Sequence, residues 1–237
     1  MKAVFFSDTH LDRTQTWKTK RVESFLREVC VGADIVVLLG DIFDFYHGQG
    51  ECIYPWFKGV ADALREVTAK GGTVYFLEGN HEYAMGAFFA SYTGAAVSVE
   101  MGLDLDGAKV FVSHGDVFTG GLTRMVLKSR ATSGVMDLLG PRLTWVIAMG
   151  VRLVLSKKHK GYNPRAKERF RGYAAGKFDE GFDVVILAHS HMLDRVETGE
   201  GDKRKIYLNT GDFIAHSTYV SYETSSGLEV RRFPPEE

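Results

Sequence analysis

Apolar residues in this chain gather into short unbroken runs, each closed by a small polar cluster. Ile35 to Leu39 is wholly apolar, as expected of a strand buried on both faces, and it stops at Gly40-Asp41-Ile42-Phe43-Asp44. Lys2 to Ser7 ends at Asp8-Thr9-His10, Thr73 to Leu77 runs on to Gly79-Asn80-His81-Glu82, Lys109 to Ser113 ends at His114-Gly115-Asp116, and Asp183 to Ala188 ends at His189-Ser190-His191. Helical spacing appears between them. Val22, Phe25, Leu26, Val29 and Cys30 form one stripe, and Phe57, Val60, Ala61 and Leu64 a second that Lys70-Gly71-Gly72 stops. Asp106-Gly107, between Leu103–Leu105 and the Lys109 run, is a hairpin signal. Beyond His191 the pattern reads as a β-meander over Leu193–Glu197, Lys205–Leu208, Ser217–Tyr222 and Leu228–Arg232, with 234–237 as a frayed tail.

Strands alternating with helices predict a mixed α+β or α/β fold, in which the carboxyl ends of the strands meet along one rim. Taken singly, each polar cluster has a plain structural explanation: an Asx turn at Asp8, a left-handed turn at Asn80, a satisfied core histidine at His114, a half-exposed strand pair at His189 and His191. Five clusters at five strand ends point instead to one site. The donors are Asp8, His10, Asp41, Asn80, His114, His189 and His191, with no thiolate among them. That set suits borderline first-row ions such as Mn²⁺, Fe or Zn²⁺ better than Cu(I) or Ca²⁺. It is too large for one ion with an open position and fits two, with Asp41 expected to bridge them.

Composition narrows the class. The chain has 237 residues, 45% apolar and 25% charged, enough for one large core. Cys30 and Cys52 match no paired metal or redox spacing and are expected to be reduced thiols of a cytoplasmic protein. The first apolar run passes directly into the candidate site, so a core strand is expected there rather than a removable leader. No apolar run approaches the ~20 residues of a membrane span. The net charge of -1 hides an asymmetry: residues 117–178 carry 13 Lys and Arg against 2 acids, leaving -12 for the remainder. Inside that segment Leu143 to Val151 is uncharged and is bracketed by Arg142 and Arg152. A helical element, apolar on one side and cationic on the other, would suit an amphipathic anionic substrate or an anionic lipid surface, with peripheral membrane contact. A helical cap burying its own core is the plainer alternative. A nucleic-acid groove is disfavoured, because the apolar residues are aliphatic rather than spaced aromatics.

Asp8-x-His10, Gly40-Asp41-x-x-Asp44, Gly79-Asn80-His81-Glu82, His114-Gly115 and His189-x-His191 resemble, in order, the five blocks of the calcineurin-like metallophosphoesterase superfamily. The resemblance implies a four-layer α-β-β-α sandwich with a helical insertion, the core over 1–116 and 179–233 and a basic cap over 117–178. It further implies that one ion takes Asp8, His10, Asp41 and His191, and the other Asp41, Asn80, His114 and His189. His81 resembles the family's catalytic histidine, which protonates or contacts the leaving group, and Asp44 its partner carboxylate. A non-catalytic module on a decayed scaffold would require missing ligands, and none is missing. The helical insertion and the Gly-Asp-Ile-Phe-Asp and His-Gly-Asp blocks also look like the UDP-2,3-diacylglucosamine pyrophosphatases of lipid A synthesis. Those enzymes release UMP and a lipid 1-phosphate. That branch has Gly-Asn-Arg-Asp where this chain has Gly79-Asn80-His81-Glu82, so a general phosphodiesterase, nuclease or nucleotide pyrophosphatase stays open. Asn163 and Lys167 lie where that branch contacts substrate, and Lys158 and Arg165 are expected to face phosphates.

Overall fold

The computed structural model describes residues 1–48, 53–83, 85–116, 130–155 and 164–234. In chain order these form β1 (Lys2–Phe6), α1 (Thr16–Phe25, extended by a π turn over Leu26–Cys30), β2 (Ile35–Leu38), β3 (Tyr46–His47), α2 (Lys58–Ala69) and β4 (Thr73–Leu77). There follow β5 (Glu82–Tyr83), α3 (Gly86–Thr93), β6 (Ala96–Ser98), β7 (Glu100–Leu105) and β8 (Ala108–Ser113). Then come α4 (Arg130–Leu155), α5 (Pro164–Asp179), β9 (Val184–Leu187), β10 (Asp194–Thr198), β11 (Lys205–Asn209), α6 (Phe213–His216), β12 (Thr218–Glu223) and β13 (Gly227–Arg232). Among the described residues the strands build a six-stranded sheet in the order β13-β12-β1-β2-β4-β6, a five-stranded sheet in the order β10-β11-β9-β8-β7, and the small parallel pair β3-β5.

The strict two-residue period of a strand explains the layers. Val4 and Phe6 of β1, Val36 and Leu38 of β2, and Val74 and Phe76 of β4 face one way, into a cluster with Phe25, Leu26, Val60 and Leu64 of the α1 and α2 helices. Their alternates Ala3, Phe5, Val37, Leu39 and Leu77 face the other way, against Val110 and Val112 of β8, Val184 and Ile186 of β9, and Leu208 of β11. The outward residues of the second sheet, Phe111, Val185, Leu187 and Tyr207, are covered by Phe170 and Ala174 of α5. The order is therefore helices, sheet, sheet, helix. Central strands buried on both sides must read as unbroken apolar runs, and these do.

Two expectations need correction. The four strands after His191 are no meander. β10 and β11 form a hairpin in the five-stranded sheet, where β11 also runs parallel to β9, while β12 and β13 form a hairpin in the six-stranded sheet beside β1. Residues 210–217 carry the chain from one sheet to the other, a step the apolar pattern does not encode. Within the span 117–178 expected as an inserted cap, α5 is instead the outer layer on the five-stranded sheet, since its apolar stripe meets that sheet's outward residues. The helix α4 bends at Gly140, whose φ of 73 and ψ of 163 are not helical. Trp145 of α4 is buried against Trp56, with ring centroids 5.6 Å apart, and Arg13 lies over its ring at 4.4 Å. The exposed face of α4 carries Leu138, 87% accessible, with Val135, Leu143, Val146 and Ile147. Cys30 is a free, buried thiol, and Cys52 lies outside the described residues.

The helix-side core is closed by aromatic packing around Phe25, whose ring meets Phe6, Phe213, Tyr219 and Phe233 at centroid distances of 4.6 to 5.3 Å. Phe25→Ala should lower unfolding stability by about 3–5 kcal/mol, the range for emptying a buried aromatic site. Urea denaturation checks this; a loss under about 1 kcal/mol would mean that the cluster collapses freely around the gap.

Candidate metal centre

Five strand ends deliver the predicted residues to one patch at the seam between the sheets. The loops after β1 and β2 zip together through backbone bonds: the Asp8 amide donates to the Gly40 carbonyl at 3.1 Å, His10 to Asp41 at 3.0 Å and Leu11 to Ile42 at 2.9 Å. The loop after β4 joins them through Glu82, a buried carboxylate. Its Oε2 accepts the amides of Asp41 and Gly79, both at 2.9 Å, and its Oε1 accepts that of Phe43 at 3.0 Å. From the other sheet, His114 Nδ1 meets the Leu39 carbonyl at 2.7 Å. A carbonyl can only accept, so Nδ1 carries the proton and Nε2 presents its lone pair to the patch.

The backbone is bent to aim these groups. Asp8, His10, Asp41, His189 and His191 are five of the seven non-glycine residues with positive φ among the described residues. Each such conformation costs on the order of 1 kcal/mol or more and persists only where its surroundings enforce it. Tight turns that need short polar side chains tolerant of this region account for part of the choice.

The side chains fall into two groups, with a third, His10, Asp44 and His81, sharing His10 with the first. Asp8, His10 and His191 offer atoms within 4.8 Å of one another, and so do Asp41, His114 and His189. Asn80 joins the second group, with Oδ1 3.3 Å from His114 Nε2. Asp41 stands between the groups. Its Oδ1 accepts the His81 amide at 3.1 Å, leaving Oδ2 at 3.3 Å from His114 Nε2 and 3.9 Å from His10 Nε2. Ring nitrogens also face each other: His10 Nε2 and His191 Nε2 are 3.3 Å apart, and His114 Nε2 and His189 Nδ1 are 3.1 Å apart. Asp8 Oδ2 accepts from the Ser7 hydroxyl at 2.5 Å and the His189 amide at 3.2 Å, while its buried Oδ1 accepts no hydrogen bond among the described residues. An orphaned carboxylate oxygen beside converging imidazole lone pairs fits a divalent cation.

Charges respond to this crowding. Burial pulls His114 down, but the combined fields of Asp41, Asp8 and Asp116 overturn this and hold the group up to about 10, so that Nε2 must give up a proton before a divalent ion can take its lone pair. His189 goes the other way, to about 3, through burial and the neighbouring His114 charge. Burial would raise Asp41, yet its imidazole neighbours His114, His81 and His10 hold it well below the usual carboxylate range. Burial and the Asp41 charge push Glu82 up to about 8 against the opposing pull of its backbone donors.

Further predicted residues are placed as follows. His81 Nδ1 is 2.7 Å from the backbone carbonyl of Asp44, so Nδ1 carries the proton of that bond, and Nε2 lies 3.8 Å from Asp41 Oδ2. The Asp44 carboxylate lies 3.3 Å from His10 Nδ1, so the tie to His81 runs through the main chain of Asp44 as well as through nearness of the side chains. Lys167 lines a cleft with His191, Arg165 is exposed, and Lys158 and Asn163 lie outside the described residues. Two contributors had no role assigned from sequence. One is Glu82. The other is Asp212, whose Oδ2 is 2.8 Å from His191 Nδ1 and orients that ring. Its signal was present: β11 ends in Asn209-Thr210-Gly211-Asp212, a sixth polar cluster at a strand end.

Two face-to-face sheets collect imidazole and carboxylate donors at their shared rim, an arrangement that fits divalent cations. The chain belongs to the calcineurin-like phosphoesterase family, whose model matches residues 1–193, and the family implies divalent metal ions. A UDP-2,3-diacylglucosamine hydrolase of Vibrio vulnificus (strain YJ016) is 33% identical over 117 residues, 49% of this chain and 48% of that protein. One of Stenotrophomonas maltophilia (strain K279a) is 36% identical over 118 residues, 49% of this chain and 47% of that protein. The chain thus spans about half the length of the curated relatives it matches. A solved structure of an archaeal phosphodiesterase is similar over 98% of both chains, at 17% identity and a TM-score of 0.49. No described helix is long and apolar enough to cross a membrane.

Gly79 offers a direct test of how tightly the loops are apposed. A Cβ there would lie 2.6 Å from the Asp41 backbone nitrogen and collide with its carboxylate. Gly79→Ala should therefore part the two loops, lowering both the melting temperature and the Mn²⁺ retained per chain after dialysis. Unchanged metal content by elemental analysis would show that the Asp41 loop moves without cost.

Proposed function

We propose that this protein is a two-metal phosphoester or pyrophosphate hydrolase. Asp8, His10, Asp41 and His191 hold one ion, and Asp41, Asn80, His114 and His189 hold the other. The single observation that carries the reading is the placement of Asp41 Oδ2 within reach of both histidine groups, 3.3 Å from His114 and 3.9 Å from His10. Paired divalent ions supply Lewis-acid stabilisation of phosphoryl charge and an activated water. Mn²⁺ is the expected ion, with Fe or Zn²⁺ compatible with the same donors. The chain's own residues do the rest. Leu39 O and Asp212 keep His114 and His191 in the tautomers that present Nε2. Asp44 O fixes the Nδ1 proton of His81, so that Nε2 can hold a proton for the departing oxygen.

For the substrate, we favour a nucleotide-linked, acylated sugar diphosphate of the UDP-2,3-diacylglucosamine kind, cleaved to UMP and a lipid 1-phosphate. Two observations support this over a general phosphodiesterase or nuclease. The named relatives act on that compound by their names. The exposed apolar face of α4, Leu138, Leu143, Val146 and Ile147, stands on a helix whose Trp145 is tied to Arg13, three residues after His10. An apolar face there, within a segment of strongly positive charge, offers acyl chains a place beside a phosphate site. The same surface would allow peripheral contact with an anionic membrane.

With Mn²⁺, turnover of a UDP-diacylated aminosugar should exceed that of UDP-N-acetylglucosamine, bis-p-nitrophenyl phosphate and a short oligonucleotide by orders of magnitude; indifference to acylation would end the lipid reading. His81→Ala should cost about a hundredfold on substrates with poor leaving groups and far less on p-nitrophenyl esters. Equal losses on both would rule out proton donation to the leaving group.

A further inference from the structure

We propose that residues 209–212, with Asp44, form an outer shell that serves only the ion of Asp8, His10 and His191, so that the two ions are held unequally and this one is the tighter. The inference rests on the two-metal reading above and goes beyond it, assigning positioning residues and an order of filling. Residues 209–212 begin the segment that carries the chain from the five-stranded sheet to the six-stranded one, and they reach both unshared ends of this ligand set. Asp212 Oδ2 is 2.8 Å from His191 Nδ1, while its Oδ1 accepts the Ala215 amide at 2.7 Å, which fixes the carboxylate in place. Asp8 is reached by relay. Its Oδ2 takes the Ser7 hydroxyl proton at 2.5 Å, so the Thr210 hydroxyl, 2.7 Å from Ser7 Oγ, donates to Ser7 in turn. Ser7 and Thr210 are both buried.

The segment is itself held firmly. Asn209 Nδ2 donates to the Ala188 carbonyl at 2.9 Å, Thr218 Oγ1 to the Thr210 carbonyl at 2.8 Å, and the Gly211 amide to Asn209 Oδ1 at 3.2 Å. Gly211 has a φ of 74, and a Cβ there would lie 2.8 Å from Thr218 Oγ1, so no larger residue fits this turn. The third unshared ligand, His10, faces Asp44 Oδ1 with its Nδ1 at 3.3 Å. Both imidazoles of this ion are therefore backed by carboxylates. The other ion is served differently. His114 is backed by the neutral Leu39 carbonyl, Asn80 and His189 are uncharged donors, and the shared Asp41 is the one acid in its set. A carboxylate behind an imidazole aims the ring and raises the basicity of the nitrogen that meets the metal, and its loss costs about 10–100-fold in affinity. Two carboxylate-backed imidazoles against one backed by a carbonyl place the tighter ion at Asp8, His10 and His191.

The test is a calorimetric titration of the full chain, stripped of metal by chelation, with Mn²⁺ in variants that keep one ion at a time. His189→Ala should retain the tighter ion, and His10→Ala the weaker. Added to His189→Ala, Asp212→Ala should weaken the retained ion about 10–100-fold; added to His10→Ala, it should leave affinity unchanged. A change that merely loosens the fold would weaken both alike. Thr210→Val, which keeps the shape and removes the hydroxyl, should show the same one-sided loss to a smaller degree, and Asp212→Asn, which keeps an acceptor oxygen, should recover part of it. Equal effects in the two backgrounds, no effect in either, or retention of the tighter ion by His10→Ala overturns the inference. Where circular dichroism shows Asp212→Ala unfolded, Asp212→Asn decides in the same two backgrounds. The two-metal reading fails separately, if the wild type takes up a single Mn²⁺ per chain. In that event an ion weakened about tenfold by Asp212→Ala supports the outer shell, and an unweakened one removes it.

Discussion

The structure depends on one buried carboxylate taking the backbone amides of two different loops. Glu82 accepts the amides of Asp41, Phe43 and Gly79 at 2.9 to 3.0 Å. Those amides sit at the ends of strands that stop pairing just before them, and buried amides left without acceptors would cost about 1–3 kcal/mol each. By satisfying both loops at once, Glu82 sets their separation, and with it the direction of the Asp41 carboxylate. Gly79 is the other half of the constraint, since a side chain there would occupy the space Asp41 fills. The result is a carboxylate with one oxygen tied to the His81 amide and the other turned toward three imidazoles.

The centre belongs to the seam rather than to either sheet. Asp8, His10, Asp41 and Asn80 come from loops of the six-stranded sheet, while His114, His189 and His191 come from the five-stranded one. Their registry is set by the apolar layer between the sheets, where Phe5, Val37 and Leu39 pack on Val112 and Ile186. Leu39 takes part twice: its side chain is in that layer, and its carbonyl holds His114. Core packing and the orientation of the His114 ring are thus the same event at this residue. The left-handed backbone at five of the donors is strain that the surrounding bonds must hold.

A second theme is the division of labour among basic residues in residues 117–178. Arg171 is spent on Asp194 and Lys177 on Glu180 and the Phe111 ring, so both serve the fold. Lys167 is only half committed. A net positive charge read from sequence therefore overstates what is available to a substrate, because buried acids such as Asp194 consume part of it.

What the sequence determined by itself was the local part. Unbroken apolar runs announced strands buried on both sides, Asp106-Gly107 announced the β7-β8 hairpin, with φ values of 52 and 92, and polar clusters at strand ends marked the rim. These signals are legible because each is written within a few consecutive residues. Tertiary structure alone decided that β12 leaves the second sheet to pair with β1, that α5 is a layer and not part of a cap, that Glu82 clamps two loops, and that Asp212 orients His191. Each of these joins residues distant in the chain through contacts whose partners no local pattern names. An acid that orients a histidine looks, in sequence, like any other acid at the end of a strand; its role exists only once another element is packed against it.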